Sequence, residues 1–327
     1  MTSSASPHMP VSLSRFLTTQ DCPAEMSRLI DSLSDAALKI AAHIAQIGLS
    51  TTQMGAVTGD MNSDGDQQKQ LDVIADEHVL LAAQRSGAVS FYYSEERDEA
   101  IACTNGAQYL LACDPLDGSS NIENNLTIGT IFSISETSDS LPQGRHKRAA
   151  GYFAYCHQTT LIISCGQGVY AFAPDKRGEW QMLNWQIKIP PSSSEFAINA
   201  SNQRHWPQHI TSYMNACLAG IDGGGSQNYN MRWLGSLVGD AFRIFRRGGI
   251  FLYPEDNRAG YQQGRLRIIY EAYPIAFLVE QAGGKATDGL RDILDIPAQT
   301  LHQRIPLIFG SADEVDKLAH LTQTDKQ

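Results

Sequence analysis

Residues 114–121, which read DPLDGSSN, constrain this chain more than any other segment. They place two carboxylates three residues apart and follow them directly with small residues that form hydrogen bonds. Pro115 fixes its own φ and Gly118 permits a tight turn, so the pattern predicts a strand end that turns into a loop or a helix start. Both carboxylates then face one site, beside backbone N–H groups and hydroxyls that suit the oxygens of a phosphate. The alternative is an ordinary Asp-Gly turn.

Carboxylates and a phosphate repel each other, so such a site needs cations between them. Mg²⁺ fits this role because it prefers hard oxygen ligands and is usually shared between carboxylates and substrate phosphates. Residues 91–94 are predicted as a strand that ends at Glu95-Glu96, and residues 108–113 as a second strand that ends at Asp114. Ligand crevices of α/β sheets form at the C-terminal ends of strands, so we expect these acids to meet. A solvated charge pair is the alternative for Glu95 and Glu96.

Composition limits the class of protein. The chain has 327 residues, enough for one large or two medium domains, and its formal net charge is −10. This acidic balance argues against nucleic acid or an acidic membrane surface as a partner. The six cysteines show neither CxxC nor Cys/His metal spacing, which favours a reducing cytoplasm. No apolar run reaches the roughly 18 residues of a membrane span, and we interpret residues 1–10 as a mobile tail.

Helical spacing of apolar residues predicts a long amphipathic helix over 25–49 and a second helix over about 67–86. Asp72 is placed on a different face from the inward residues of the second helix. The polar segment 51–66 between the helices is predicted to be a mobile loop, acidic enough to reach a metal site. The inward residues expected in the second helix are Leu71, Ile74, His78 and Leu81.

Strands and helices then follow in two blocks, which predicts an α/β class with layered sheets and helices. The break IPPSSS at residues 189–194 divides a domain 11–190 from a domain 191–327. The first block has strands at 127–134, 149–155, 160–165 and 168–172, the last three forming a meander. The second block has strands at 196–200, 265–270 and 305–310 and helices at 206–217, 234–245 and 274–282.

Six segments in the right order resemble class I fructose-1,6-bisphosphatases over nearly the whole chain. They are VTGD from Val57, GDQQKQLDV from Gly65, SEE from Ser94, DPLDGSSNIENNLTIGTIFSI from Asp114, GGIFLYP from Gly248 and LRIIYEAYPIAFLVEQAGGKATDG from Leu266. A DPxDGT-like form also marks inositol monophosphatases, but GGIFLYP and YEAYP separate the two groups. The resemblance implies a sugar-phosphatase fold of alternating helix and sheet layers in two subdomains, a homotetramer, and Mg²⁺ as the cofactor with Mn²⁺ as a substitute.

The same resemblance assigns roles to residues. Glu96 and Asp72 would polarise the attacking water, with Asp66 assisting from the loop. Arg232 falls where an arginine reaches in from a neighbouring subunit. The implied metal ligands are Glu95, Asp114, Asp117, Glu271 and the carbonyl of Leu116; the implied binders of the leaving phosphate are Gly118, Ser119 and Ser120; and those of the sugar and the far phosphate are Asn199, Tyr253 and Arg265.

Three positions depart from the family pattern at the far-phosphate site. Asn202 and Trp233 stand where tyrosines are common, and Arg265 replaces the usual lysine. Arginine still clamps a phosphate bidentately. We expect the loss of two phenol hydroxyls to affect which sugar length the site accepts rather than the type of reaction. Basic residues are dense around this part of the sequence, which marks a region for a second phosphate: Arg243, Arg246, Arg247, Arg258, Arg265 and Arg267. A solvated helix face is the alternative for Arg246 and Arg247.

The implied reaction is hydrolysis of the 1-phosphate of D-fructose 1,6-bisphosphate, a step of gluconeogenesis or the Calvin cycle. One alternative is a dual enzyme that also accepts sedoheptulose 1,7-bisphosphate. An inositol-monophosphatase-like enzyme would leave the arginines near Arg265 without a second phosphate. The remaining alternative, a catalytically inactive phosphosugar-binding regulator, conflicts with acids at every expected position.

The family's usual inhibitor, AMP, binds a turn at the start of the first long helix. Here that turn contains Glu25 and Ser27, and the Lys-Tyr pair that completes the family pocket is Gln108-Tyr109. Pro23 replaces a hydroxyl residue, and a cation facing the phosphate is missing, a loss on the order of 1.5–3 kcal/mol. We therefore predict a vestigial AMP site and poor inhibition by AMP.

Overall fold

The computed structural model describes residues 11–46, 57–61 and 67–324. The predicted tail 1–10 lies outside the described residues, and so does much of the predicted loop 51–66, including Asp66. The described part of that loop is a strand, Val57–Met61, paired antiparallel with Gln67–Lys69. The second helix therefore begins at Gln70, and the prediction of helix at 67–69 was wrong because the backbone of this polar triplet pairs with a strand.

Seven helices occur among the described residues, and the long helix predicted over 25–49 is present as Ala24–Ile44. Numbered in chain order, the helices are α1 (Leu13–Thr19), α2 (Ala24–Ile44), α3 (Gln70–Ser86), α4 (Gln208–Ala219), α5 (Leu237–Arg247), α6 (Tyr273–Gln281) and α7 (Ala312–Thr324).

The strands form a large sheet, a smaller sheet and two short pairs. Numbered in chain order, they are β1 (Val57–Met61), β2 (Gln67–Lys69), β3 (Val89–Ser94), β4 (Ile101–Ala102), β5 (Tyr109–Asp117), β6 (Ile128–Glu136), β7 (Lys147–Tyr155), β8 (Thr160–Ser164), β9 (Val169–Pro174), β10 (Trp180–Ile187), β11 (Glu195–Ile198), β12 (Asn230–Met231), β13 (Ile250–Tyr253), β14 (Leu266–Arg267), β15 (Lys285–Thr287), β16 (Arg304–Ile305) and β17 (Leu307–Gly310).

The large sheet has eight strands in the order β10-β9-β8-β7-β6-β5-β3-β4. Strands β7 to β10 are successive antiparallel neighbours, which confirms the predicted meander and adds β10, an edge strand that the sequence analysis missed. Strands β3 and β5 run parallel, so their C-terminal ends lie side by side. The smaller sheet has the order β12-β11-β13-β17-β15.

Helices and sheets alternate in layers, as predicted. Helices α1, α2 and α3 share a buried apolar cluster with one face of the large sheet, and α5 and α6 lie between the large sheet and the smaller one. Helices α4 and α7 cover the outer face of the smaller sheet. One core spans both halves of the chain, with the rings of Tyr152 and Phe245 6.3 Å apart, so the division at residue 190 stays a prediction.

The buried face of α3 differs from the predicted one. Leu81 is 38% exposed and His78 is half-buried, whereas Asp72 is only 3% exposed. The prediction followed the larger apolar side chains, but α3 packs closely through small ones. The apolar residues that α3 buries are Leu71, Ala75, Val79, Ala82 and Ala83.

The strand predicted over 265–270 is also shorter than expected. Only Leu266–Arg267 is extended, and the chain then forms a π-helical turn, Ile268–Ala272, that leads into α6. Such turns are often found at functional sites. This one carries Glu271.

Candidate active site

Three carboxylates from two elements meet at one point inside the molecule. Asp114 and Asp117 lie at the end of β5, and Glu271 lies in the π-helical turn before α6. One carboxylate oxygen of each lies within 4.8 Å of the others, and all three side chains are buried. Hard oxygen donors at this spacing are the ligand set that Mg²⁺, Mn²⁺ or Ca²⁺ prefers.

A backbone N–H group holds each of the three carboxylates by a hydrogen bond. Oδ1 of Asp114 accepts the N–H of Leu116 at 3.0 Å, where the β5–β6 register shifts and lets both aspartates turn inward. Oδ2 of Asp117 accepts the N–H of Val238 at 3.2 Å, in the first turn of α5. Oε2 of Glu271 accepts the N–H of Arg267 at 2.5 Å. The site is thus fixed by contacts from both halves of the chain.

Burial and mutual repulsion disfavour the charged form of this cluster. Burial raises the pKa of Asp114 well above its usual range, and Glu95, Asp117 and Glu271 raise it further. The pKa of Asp117 is raised to about 6, because burial raises it more than the hydrogen bond from the Val238 N–H lowers it. Burial and then Glu95 and Asp117 also raise the pKa of Glu271. A divalent cation among the three carboxylates would remove this penalty, so the donor set fits the metal that the sequence predicted.

Glu95 and Glu96 reach the same region from β3. The N–H of Glu95 bonds to the carbonyl of Cys113 at 3.1 Å, and the N–H of Glu96 bonds to Ser94 Oγ at 3.2 Å. Both glutamates are half-buried, and both contribute to the raised pKa of Asp114. The guanidinium of Arg267, which is buried, lies 3.4 Å from Glu95 Oε1.

A buried network that the sequence analysis missed holds the turn carrying these glutamates. Oδ1 of Asp76 accepts the Tyr92 hydroxyl at 2.8 Å, and Oδ2 accepts Nε of Arg97 at 2.6 Å. Asp76 lies on α3 one turn after Asp72, and Arg97 directly follows Glu96. A signal for Asp76 was present in the sequence: it lies four residues after Asp72, a candidate site residue, and so on the same face of the helix.

The segment after Asp117 forms the predicted turn. Gly118 has φ of +76°, a left-handed conformation that favours glycine, and it precedes a short 3₁₀ helix, Ser119–Asn124. The N–H of Asn121 bonds to the Gly118 carbonyl at 2.7 Å. Gly118 and Ser119 are half-buried and Ser120 is exposed, so these groups border the carboxylates at the surface.

A small pocket contains several of the residues predicted to bind the sugar and the far phosphate. Trp233 is not among its lining residues, but its ring lies 5.6 Å from that of Phe251 and 6.0 Å from that of Tyr253, which does line the pocket. Arg232 is exposed and is not among the residues that line this pocket. The lining residues are Ile198, Asn199, Asn202, Trp206, Leu252, Tyr253, Pro254, Asp256 and Arg265.

The arginines that are dense in the sequence are dispersed in space. Arg243 pairs with Glu195 at 2.8 Å, and Arg247 pairs with the same glutamate at 2.7 Å. Arg258 pairs with Asp256, and Arg267 points to Glu95. Among the six arginines, Arg265 is the one that lines the pocket described above.

The residues of the predicted AMP site also lie close together. Tyr109 is buried, and burial together with Cys22, Glu25 and Glu136 raises its pKa. Glu25 lies 3.5 Å from Arg28. Arg148 lies near Tyr109 but pairs with Glu136 at 2.6 Å.

A buried carboxylate cluster at parallel strand ends, beside a glycine turn, is typical of metal-dependent phosphatases with layered α/β folds. Family models narrow this class: one described as "Fructose-1-6-bisphosphatase, N-terminal domain" matches residues 11–184, and one described as its C-terminal domain matches residues 189–323. The chain therefore belongs to the fructose-1,6-bisphosphatase family, whose members require a divalent metal.

Individual relatives agree with this assignment. A class 1 fructose-1,6-bisphosphatase of Cereibacter sphaeroides is 47% identical over 303 residues, which cover 90% of each chain. One from Rhodopseudomonas palustris is 44% identical over 321 residues, 95% of this chain and 92% of the relative. The holo-form crystal structure of Leishmania major fructose-1,6-bisphosphatase matches with a TM-score of 0.89 at 31% identity, covering 97% of this chain and 100% of that one. Within the described residues, no helix is both long and apolar enough to cross a bilayer.

Proposed function

We propose that this chain hydrolyses the 1-phosphate of D-fructose 1,6-bisphosphate, giving fructose 6-phosphate and phosphate. The observation that carries the proposal is the convergence of Asp114, Asp117 and Glu271 within 4.8 Å beside the Gly118 turn, in a chain of this family. We assign the reaction to carbohydrate metabolism, in gluconeogenesis or the Calvin cycle.

Mg²⁺, with Mn²⁺ as a substitute, is the proposed cofactor. Its ligands would be the side chains of Glu95, Asp114, Asp117 and Glu271 and the carbonyl of Leu116. When bound, such an ion supplies positive charge to the phosphoryl oxygens and to the departing sugar oxygen, and it acidifies water.

The chain's own residues do the positioning. Glu96 and Asp72 orient the attacking water and accept its proton on a carboxylate oxygen, with Asp66 assisting, a role that rests on the resemblance alone. The leaving phosphate rests on the backbone N–H groups and hydroxyls of residues 118–120. As water attacks phosphorus, the bond from phosphorus to the sugar oxygen breaks in line with it, and that oxygen takes up a proton to become a hydroxyl of fructose 6-phosphate. Asn199, Tyr253 and Arg265 hold the sugar and its far phosphate.

A substrate panel tests the proposal. Phosphate release is measured from fructose 1,6-bisphosphate, sedoheptulose 1,7-bisphosphate, fructose 1-phosphate and inositol 1-phosphate, with Mg²⁺ or with EDTA. We expect the fructose bisphosphate to be the best substrate and EDTA to abolish release. Full activity in EDTA would contradict the metal assignment, and a preference for inositol 1-phosphate would contradict the substrate assignment. The departures at Asn202 and Trp233 make the longer bisphosphate the second candidate.

We also propose a cytoplasmic homotetramer in which Arg232 serves the neighbouring subunit's site. The exposure of Arg232 and its position outside its own subunit's pocket support this arrangement. Light scattering coupled to size exclusion measures the assembly. A fully active monomer at assay concentration would contradict it.

AMP is proposed to inhibit poorly. A phosphate near Tyr109 would meet the carboxylates of Glu25 and Glu136, while Arg148 is already paired with Glu136. An AMP titration measures the effect. Half-inhibition at low micromolar AMP that is lost on substituting Glu25 or Tyr109 would show an intact site.

A further inference from the structure

The segment between β13 and β14 contains a tyrosine that the family pattern does not assign. Two consecutive turns shape this segment: the N–H of Tyr261 bonds to the carbonyl of Arg258 at 3.0 Å, and the N–H of Gly264 bonds to the carbonyl of Tyr261 at 3.0 Å. Gly264 has φ of +78°, and a Cβ there would lie 2.3 Å from the backbone of Ile305. The close approach to β16 thus requires glycine and fixes where Arg265 leaves the turn.

These turns bring one phenol against two guanidinium groups. Arg265 lies over the Tyr261 ring, 4.2 Å from its centroid, and its Nη2 donates to the Tyr261 hydroxyl at 3.0 Å. Arg258 lies over the same ring at 4.9 Å. Arg265 also lies near Tyr253, where its charge offsets part of the effect of burial, which raises the pKa of the Tyr253 hydroxyl. Ring stacking and the hydroxyl contact therefore restrict the orientation of the Arg265 guanidinium.

The two arginines differ in how their charge is used. Arg258 is held by both carboxylate oxygens of Asp256, so its charge is compensated. In the part of the chain that the structure describes, Arg265 makes no ion pair, and its side chain donates a hydrogen bond to a neutral phenol, Tyr261. It also lines the pocket of Asn199 and Tyr253. A fixed guanidinium without a counter-charge, at the wall of a polar pocket, suits a phosphate.

We propose that Tyr261 is a positioning residue for the far phosphate of the sugar bisphosphate, acting by orienting Arg265. The proposal rests on the proposed function, because it takes the far phosphate to be the occupant of this pocket. Tyr261 thereby supplies a phenol at a site where Asn202 and Trp233 stand in place of two family tyrosines. The guanidinium is held ready before substrate arrives, which lowers the entropy lost on binding.

Steady-state kinetics on two substrates test the role. Tyr261→Phe keeps the ring and removes the hydroxyl, and Tyr261→Ala removes both. For fructose 1,6-bisphosphate we expect KM to rise about three- to ten-fold in Tyr261→Phe and at least about ten-fold in Tyr261→Ala, with kcat nearly unchanged. For fructose 1-phosphate, which lacks the far phosphate, neither variant should change kcat/KM.

A double-mutant cycle separates positioning from direct contact. If Tyr261 acts through Arg265, Tyr261→Phe should have almost no further effect in an Arg265→Ala background. Tyr229→Phe is the matched control, since Tyr229 also combines a nearby cation, Lys317, with a hydroxyl bonded to Glu314, remote from this pocket. Thermal unfolding of every variant verifies that folding is retained.

A binding measurement makes the outcome independent of turnover. Calorimetry with fructose 6-phosphate, which carries only the far phosphate, should show weaker binding to both Tyr261 variants and unchanged binding to Tyr229→Phe. Unchanged affinity in both Tyr261 variants, or an equal rise of KM for fructose 1-phosphate, overturns the proposal. If fructose 6-phosphate binding depends on Tyr261 but the protein does not hydrolyse the bisphosphate, the role of Tyr261 is supported and the proposed function is refuted.

Discussion

Replacing Asp117 by asparagine should stabilise the metal-free protein while destroying its activity. Asp117 is 7% exposed and shares the centre of the site with Asp114 and Glu271. Asparagine has nearly the same shape, and its carbonyl oxygen can still accept the N–H of Val238. The change therefore removes a buried charge without removing a packing contact or a hydrogen bond.

The size of this stabilisation follows from the pKa of the Asp117 carboxyl. Burial raises it from 3.8 to about 6 in the folded chain. Between these two values the folded chain binds more protons than the unfolded chain, so stability falls as pH rises through this window. Above pH 6 both states are ionised, and the full penalty is about 3 kcal/mol. Asp117→Asn should recover up to this amount at pH 7.5 in EDTA, a rise in Tm of roughly 5 °C.

Adding metal should reverse the order of thermal stability of Asp117→Asn and the unsubstituted protein. A cation bound to the native site stabilises the unsubstituted protein by mass action, whereas the variant has lost a charged ligand. Thermal unfolding in EDTA and in excess Mn²⁺, together with phosphate release, measures both effects. The reasoning is refuted if Asp117→Asn unfolds at a lower temperature in EDTA, or if it gains as much from Mn²⁺ as the unsubstituted protein does. Asp98→Asn, a change at an acid for which no role is proposed, is the matched control.

Four further outcomes are expected. Glu96→Gln should lower kcat at least about 100-fold with KM within about three-fold, since we propose that this carboxylate acts on the attacking water; a change confined to KM would assign Glu96 to substrate binding instead. Asp76→Asn should raise the metal concentration for half-maximal activity several-fold and leave the KM of bisphosphate nearly unchanged, because it loosens the turn after β3; an unchanged metal titration contradicts this. Arg232→Ala should raise KM with kcat nearly constant, which steady-state kinetics verifies. Lys147 is buried, and burial lowers its pKa to about 7. Between pH 7 and 10.5 the unfolded chain alone holds this proton, so the free energy of unfolding should rise with pH. Lys147→Met should remove that pH dependence and raise the free energy of unfolding by up to about 4 kcal/mol at pH 7, as measured by denaturant titration.

The sequence predicted strands β3 and β5 and the acids that follow them because their signals are local. Proline and glycine around the aspartate pair mark the strand end, and the apolar runs of β3 and β5 lead directly to Glu95 and Asp114. The parallel pairing of these strands then places the acids together, as expected. The resemblance extended this to Glu271, which lies far along the chain and carries no local signal of its own.

Other features depend on tertiary packing and were not predictable from patterns. The inward face of α3 includes three buried alanines, whereas the larger Leu81 lies at the surface. Asp76 looks like an ordinary helix acid until Tyr92 and Arg97 surround it. A high density of arginines in the sequence likewise does not reveal which groups they bind. Arg243 and Arg247 both form ion pairs with Glu195.

The proposed far-phosphate pocket illustrates why a departure from a family pattern does not by itself imply a lost function. Asn202 and Trp233 remove two phenols at positions that the resemblance defines, and on sequence alone this weakens the site. The structure brings another phenol, Tyr261, to the side chain of Arg265 through two turns whose geometry depends on Gly264. A contact made from a different segment is invisible to position-by-position comparison. Substrate length should therefore depend on the segment between β13 and β14 as well as on the two replaced tyrosines.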